Sequence, residues 1–230
     1  MSAGEAGPPA MRLERVSRDY RQGGETVHAL RSTDLELRRG ELVGVLGPSG
    51  SGKSTLLTIM GGLRTPSAGV VTIAGEPFSA LPERQRADLR LRRIGFVLQA
   101  SGLVPFLRLA DQFALHDAAA RTRADPRRRD RLLEALGIRR LSRAYPADLS
   151  GGERQRAAIA VALYHDPDIV LADEPTAALD TRRARDVARL LADQTHELGK
   201  AAVMVTHDER LLPVCDRVLV MHDGVLTPGA

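Results

Sequence analysis

Apolar and polar positions along this chain follow two periods. Residues 41–47 ("ELVGVLG"), 168–173 ("DIVLAD") and 201–207 ("AAVMVTH") are short apolar runs rich in β-branched residues, the pattern of strands covered on both faces. Helix-patterned stretches follow the first two, "KSTLLTIMGGL" and "RRARDVARLLADQTHEL". Strands alternating with helices predict parallel pairing through helical crossovers, hence an α/β core. Around the first run, "MRLERV", "HALRSTDLELRRGE" and "GVVTIAG" are amphipathic and spaced like antiparallel strands joined by turns. They predict a smaller sheet packed beside the parallel one.

Between Gln99 and about His165 the period becomes helical, most clearly in "DPRRRDRLLEALGI". This predicts a helical insertion that interrupts the α/β core. The arginine cluster within Arg127–Arg131 reads as a solvated helix face.

Composition narrows the classes. The 230 residues, 43% hydrophobic and 27% charged, can bury a sizeable core. The net charge of +4 is the small difference between 33 basic and 29 acidic residues, so charge does not call for a nucleic-acid partner. Only Lys53 and Lys200 are lysine; every other basic residue is arginine. A position that keeps a compact, flexible ammonium is informative, and phosphate in a tight loop is one place that needs it. One cysteine, Cys215, excludes an intrachain disulfide and reads as a small buried hydrophobe in "PVCDRVLV". The start, "MSAGEAGPPA", has neither a basic nor an apolar targeting region, and no run approaches the roughly 18 apolar residues of a membrane span. The expectation is a cytosolic protein with a short frayed leader up to about Ala10.

The segment "LADEPTAALD" ends an apolar strand on two adjacent carboxylates, Asp173 and Glu174. Charge at the end of a buried strand needs a counter-ion. "GPSGSGKST" supplies its reason: it follows a strand and opens a helix, the context of a phosphate-binding loop. In that loop of Gly47, Pro48, Ser49, Gly50, Ser51, Gly52, Lys53, Ser54 and Thr55, the three glycines allow backbone conformations that turn N–H groups inward at phosphate. The helix N-terminus adds partial positive charge. Lys53 is expected to reach the β- and γ-phosphates, Ser54 to ligate Mg²⁺, Asp173 to hold that ion, and Glu174 to orient or deprotonate water. A third stretch, "LSGGERQR", places Ser150, Gly151 and Gly152 at a second anion-binding helix start, with Glu153 helping to cap it. Two such starts and one nucleotide loop suggest that a second subunit completes each site.

"GPSGSGKST", Gln99 in "LQ", "LSGGERQR", "IVLADEP", "AALD" and "VTHD" stand in the order and spacing of ATP-binding cassette (ABC) ATPases, a resemblance running from about Met11 to about Leu226. It implies a P-loop nucleoside triphosphatase fold: a RecA-like parallel sheet with an antiparallel β subdomain, together the catalytic core over about 11–98 and 166–226, and an inserted helical subdomain over about 99–165. It also implies a head-to-tail homodimer holding two ATP molecules with Mg²⁺. By matching position, Tyr20 stacks on adenine, Gln99 senses Mg²⁺ and the partner, and Ser150 and Gly152 face the opposite γ-phosphate. His207 contacts the γ-phosphate of its own chain, and Asp180 lies in the loop joining the two sites. Ala177 departs from the small polar residue common in the family, which puts a hydroxyl contact across the dimer in doubt.

If such a chain drives transport, it must dock on separate membrane permease chains, peripheral to the inner face of the membrane. "QASGLVPFLRLADQ", little charged until Arg108, suits that contact. The chain most resembles ATPases of the macrolide-exporter and lipoprotein-releasing branch. Within it, "GFVLQASGLVPFL", "LADEPTAALDTRRA" and "VMVTHDERLL" are similar to bacterial haem-efflux ATPases. Haem export is therefore the leading expectation; lipoprotein, peptide or drug export stay open, as does a non-transport ATPase with soluble partners. The gap of about fifty residues between Gln99 and "LSGGE" has no sustained heptads, which argues against coiled-coil chromosome-maintenance ATPases.

Overall fold

The computed structural model describes residues 8–177 and 179–229, so most of the expected leader lies outside the described residues. Ala10, placed in that leader, is fully buried instead. Its N–H donates to the Leu37 carbonyl over 2.8 Å, and its carbonyl accepts from Ala74 over 3.0 Å. From there the chain forms β1 (Met11–Gln22), β2 (Glu25–Leu37), β3 (Glu41–Leu46), α1 (Lys53–Met60), β4 (Ala68–Ile73), β5 (Glu76–Pro77), α2 (Glu83–Arg93) and β6 (Ile94–Val97). Then come α3 (Leu109–Ala120), α4 (Pro126–Ala135), α5 (Gly151–Tyr164), β7 (Ile169–Asp173), α6 (Thr181–Glu197), β8 (Ala201–Thr206), β9 (Arg217–His222) and β10 (Val225–Pro228).

The central sheet has the order β10-β9-β3-β8-β7-β6; β10 is antiparallel to β9 and the other pairs are parallel. Successive side chains of a strand point to opposite faces. Here both faces are covered, which is why the strand sequences are continuously apolar. Leu42, Val97, Val170, Ala172, Ala202 and Met204 enter a core shared with α3, α4, α5 and α6. Val43, Val45, Ile169, Leu171, Ala201, Val203 and Val205 enter the other, shared with α1 and the antiparallel sheet β2-β1-β4-β5. Each fully buried Val, Leu or Ile contributes on the order of 1.5–3 kcal/mol relative to exposure. A one-residue slip of register would exchange the two faces and misplace them all.

The helical segment sits directly on the sheet. A Cβ on Gly95 of β6 would run into the Ala162 carbonyl of α5, so only glycine permits that approach. The arginine cluster is not uniformly solvated as expected: Arg127 and Arg131 are exposed, but Arg128 is half-buried. Arg128 donates to the carbonyls of Tyr164 (2.6 Å) and Leu163 (3.1 Å) and pairs with Asp166 (2.9 Å), tying α4 to the end of α5. A long cation whose fork finds carbonyls at a helix C-terminus is favoured there over water. Lys200, the second lysine, is buried and pairs with Asp166 over 2.7 Å, so it retains its ammonium for a structural contact. Cys215 is half-buried against the core, and burial pushes its thiol up to about 11. No described helix is long and apolar enough to cross a membrane.

Candidate functional site

Parallel register collects the expected residues at one edge of the sheet. Leu46 stands opposite Thr206, Asp173 opposite Val205, and Val97 opposite Ala172. The segments leaving β3, β7, β8 and β6 therefore emerge together at the carboxyl ends of the strands, where open α/β sheets bind ligands. They enclose a cavity of about 420 Å³ lined by Ala29, Ser49, Gly50, Gly52, Lys53, Ser54, Thr55, Gln99, Asp173, Glu174 and His207.

The loop before α1 is built for an anion. Gly50 and Gly52 have φ of +81° and +110°, conformations that L side chains rarely adopt. Gly47 differs from the expectation: its φ is not positive, and glycine is required by space, since a Cβ would strike the Met221 carbonyl. Lys53 is buried and donates to the carbonyls of Gly47 (2.6 Å) and Pro48 (2.8 Å), which fixes its ammonium inside the loop. α1 has no side-chain cap at Gly52 and no acidic residue in its first turn, so its leading N–H groups stay free for an anion. Ser51 is buried with a hydroxyl that has no hydrogen-bond partner among the described residues.

Opposite this positive rim stand the two carboxylates. Burial, then the neighbouring Glu174 charge, holds the Asp173 carboxyl above its ordinary value, with Lys53 pulling it back. Glu174 adopts φ of +46°, a strained conformation for a residue with a Cβ, and its N–H donates to the Val205 carbonyl over 3.0 Å. That turn swings the Glu174 side chain toward the end of β8. There His207 Nδ1 lies 3.0 Å from Oε1 and 2.9 Å from Oε2. The His207 loop is braced by Asp208, which takes both Nε and Nη2 of Arg210, while Arg210 Nη1 donates to Thr181 of α6 over 2.9 Å.

The remaining expected residues lie elsewhere. Ser150 is exposed and, with Gly151, Gly152 and Glu153, lines no part of the cavity. Ser150 caps α5: its Oγ accepts from the Glu153 N–H (3.3 Å), and the Glu153 carboxylate accepts from the Ser150 N–H (3.0 Å) and Oγ (2.8 Å). These hydrogen bonds, led by the Ser150 backbone, hold the Glu153 carboxyl below its ordinary value. Gly151 instead borders a second cavity of about 140 Å³, shared with Gln99, Pro175 and Leu179. Asp180 caps α6, accepting from the Arg183 N–H over 3.1 Å. Tyr20, expected to stack on adenine, lies within β1, outside the cavity lining and with Arg18 and Arg64 against its ring. Ala177 is exposed in the turn after Glu174.

Sequence reasoning missed the floor of the loop. The Ala29 carbonyl leaves no room for a Cβ on Gly52, and the Gly224 N–H donates to the Ser51 carbonyl over 2.9 Å. Neither residue carries functional chemistry in its side chain, so no motif marks them. Arg210 was equally silent, as one arginine among many.

Ser54, Gln99 and Asp173 offer a hydroxyl, a carboxamide oxygen and a carboxylate to one cavity. Among the described residues no group of three or more His, Cys, Asp or Glu is arranged to hold a metal. A sparse, all-oxygen donor set with an uncompensated carboxylate fits Mg²⁺, which keeps waters and takes phosphate oxygens, rather than a fully protein-caged ion.

Comparison with known proteins agrees with this geometry. The ABC transporter family model matches residues 30–177. The lipoprotein-releasing system ATP-binding protein LolD of Legionella pneumophila is 40% identical over 215 residues, covering 93% of this chain and 95% of the relative. The putative hemin import ATP-binding protein HrtA of Staphylococcus aureus is 39% identical over 220 residues, covering 95% and 99%. Among solved structures, the dimeric structure of MJ0796, a bacterial ABC transporter cassette, superposes with a TM-score of 0.83 at 35% identity, covering 93% of this chain and 95% of that one. A post-hydrolysis state of the same cassette bound to ADP and Pi gives 0.83 at 35% identity, covering 95% and 98%. A P-loop, a paired-carboxylate strand end and a second capped helix start on this fold make the chain a member of the ABC transporter family, an ATP-binding and ATP-hydrolysing subunit of the LolD and HrtA type.

Proposed function

We propose that two copies of this chain associate head to tail around two ATP molecules and drive a separate membrane permease. One observation carries the reading: the "LSGGE" loop, whose helix is capped by exposed Ser150, lines no part of its own chain's nucleotide cavity. A site on a second copy gives that loop an anion to bind. In this reading Ser49 to Thr55 and the Gly47 turn wrap the phosphates, Lys53 pairs with the β- and γ-oxygens, and Ser150 and Gly152 close the γ-phosphate from the other copy. Glu174 takes a proton from the attacking water, and His207, beside it, contacts the γ-phosphate. Ser54, Gln99 and Asp173 would hold Mg²⁺, which when bound neutralises charge developing on the β- and γ-oxygens. Tyr20 stacks on adenine, and Asp180 lies between the two sites. Residues 11–98 and 166–226 form the catalytic core and residues 99–165 the helical subdomain that meets the permease, with Phe106 at 77% exposure offering an apolar contact.

For the transported molecule we propose haem, moved outward. The motif stretches around Gln99, Glu174 and His207 support it, as does the HrtA relative, whose name specifies hemin but import. Lipoprotein release is the second reading, favoured by LolD relatives at 40–41% identity. No residue of this chain has to touch the cargo, so the test uses the native membrane complex reconstituted in vesicles. ATP-dependent movement of haem out of the ATP-bearing compartment, with haem-stimulated hydrolysis, is expected. Stimulation by lipoprotein alone would replace haem, movement of haem toward the ATP side would reverse the direction, and purification with only soluble partners would remove the transport reading.

A further inference from the structure

Tyr20 is half-buried, and its ring already carries company. The guanidinium carbon of Arg18 stands 4.8 Å from the ring centroid and that of Arg64 stands 5.6 Å from it, both within reach of cation–π attraction. The two arginines are held differently. Arg18, half-buried two positions away on the same strand, donates to the Thr65 carbonyl over 3.0 Å. Arg64 is exposed on the turn after α1, and among the described residues its guanidinium makes no hydrogen bond or ion pair. Tyr20 pairs with Val27 in the ladder, two residues from Ala29, which lines the phosphate cavity. The ring is thus carried by the strand that pairs with the one supplying Ala29 to the cavity rim.

We infer that Arg64 is a displaceable cover on Tyr20, competing with the nucleotide base for the ring. The inference rests on the reading above that Tyr20 stacks adenine. A guanidinium over an aromatic face competes with a base for that face, so a base that stacks on the face Arg64 covers has to displace it. Arg18 is anchored by a backbone carbonyl, whereas Arg64 gives up only the ring itself and regains water. Arg64 therefore sets base affinity below that of an open ring. ATP and ADP carry the same base, so the cover lowers affinity for both equally and leaves the chemical step alone.

The test compares the full chain with its Arg64→Gln, Arg64→Ala, Tyr20→Ala and double Tyr20→Ala/Arg64→Gln variants. Titration calorimetry with Mg²⁺ measures affinity for ATP, ADP and inorganic tripolyphosphate, which has the charge but no base. With both Arg64 variants, the ratio of ATP to tripolyphosphate affinity is expected to rise about two- to fivefold, and ADP affinity to rise with that for ATP. The rise should vanish when Tyr20 is also removed. An unchanged or lowered ratio in the Arg64 variants, while Tyr20→Ala weakens ATP but not tripolyphosphate, overturns the cover and leaves the stacking reading intact. If Tyr20→Ala leaves ATP affinity unchanged, the stacking reading falls, and the cover with it.

Discussion

His207 Nδ1 lies within 3.0 Å of Glu174 Oε1, although 33 residues separate the two in the chain. Two local features make the contact. β7 and β8 are parallel neighbours ending in register, and the left-handed backbone at Glu174 turns its side chain toward β8. The mostly buried carboxylate and the exposed imidazole then hold each other in direction.

That placement gives the first expectation. Glu174→Gln keeps shape and hydrogen bonding but cannot take a proton. ATP binding should persist while hydrolysis slows about 10²- to 10⁴-fold, on the order of 3–5 kcal/mol of barrier. Single-turnover kinetics measure it, and a near-normal rate would remove Glu174 from this role.

Asp173 ties stability to function. Because burial and Glu174 raise its folded pKa above the ordinary 3.8, the ionised carboxylate destabilises the ligand-free fold. The destabilisation is fully present above the raised value and disappears as pH falls to 3.8. Asp173→Asn should therefore raise the melting temperature at pH 7 without ligand, lose that advantage toward pH 4, and weaken Mg²⁺-dependent turnover. A lower melting temperature at pH 7 would show that the carboxylate stabilises the empty fold.

A third expectation follows from the stacked pair His116 and His165, whose ring centroids are 4.4 Å apart. Burial, then His116, lowers the His165 pKa from 6.5 to about 4. The folded protein resists protonation there and the unfolded chain does not, so stability contributed by the neutral ring is present above 6.5 and lost as pH falls toward about 4. In denaturant titrations across that window, His165→Phe should lose less stability than the parent. Parallel losses would remove His165 as the cause.

Ser150 calls for a careful substitution, because it caps α5 as well as facing the other copy in the proposed dimer. Loss of the cap would cost about 0.5–2 kcal/mol and confuse the result. Ser150→Asp keeps an acceptor for the Glu153 N–H, gives up the hydroxyl donated to the Glu153 carboxylate, and sets a negative charge against the opposite γ-phosphate. The monomer should stay folded by circular dichroism and fail to pair on adding ATP in light scattering. ATP-driven pairing of this variant would count against the composite site.

The sequence carries the core and the site unevenly. β3, β7 and β8 are legible because strands covered on both faces must be apolar throughout, and the phosphate loop because its glycines, lysine and following helix occur together. α2 is not legible: its "ERQRADLRLRR" has almost no apolar face, and it is held partly by buried Arg86, which donates to the carbonyls of Gly62 (3.0 Å) and Leu81 (2.9 Å). β10 is a four-residue edge strand, too short to show a period. Gly47 is required for a reason the local sequence does not show, since the obstacle to a Cβ is the Met221 carbonyl, far away in the chain. Arg64 on Tyr20 depends on a tertiary contact between the turn after α1 and strand β1 that no motif encodes.

The composite site is the central claim, and complementation between inactive chains tests it most directly. Lys53→Ala disables the phosphate loop and Ser150→Asp the loop offered to a partner, so neither homodimer should hydrolyse ATP. In a mixed dimer one site combines both defects, while the other joins an intact phosphate loop to an intact Ser150. Hydrolysis by the mixture well above the sum of the separate chains is the expected result; mixed pairs that form yet stay inactive, or full turnover by Ser150→Asp alone, would contradict it.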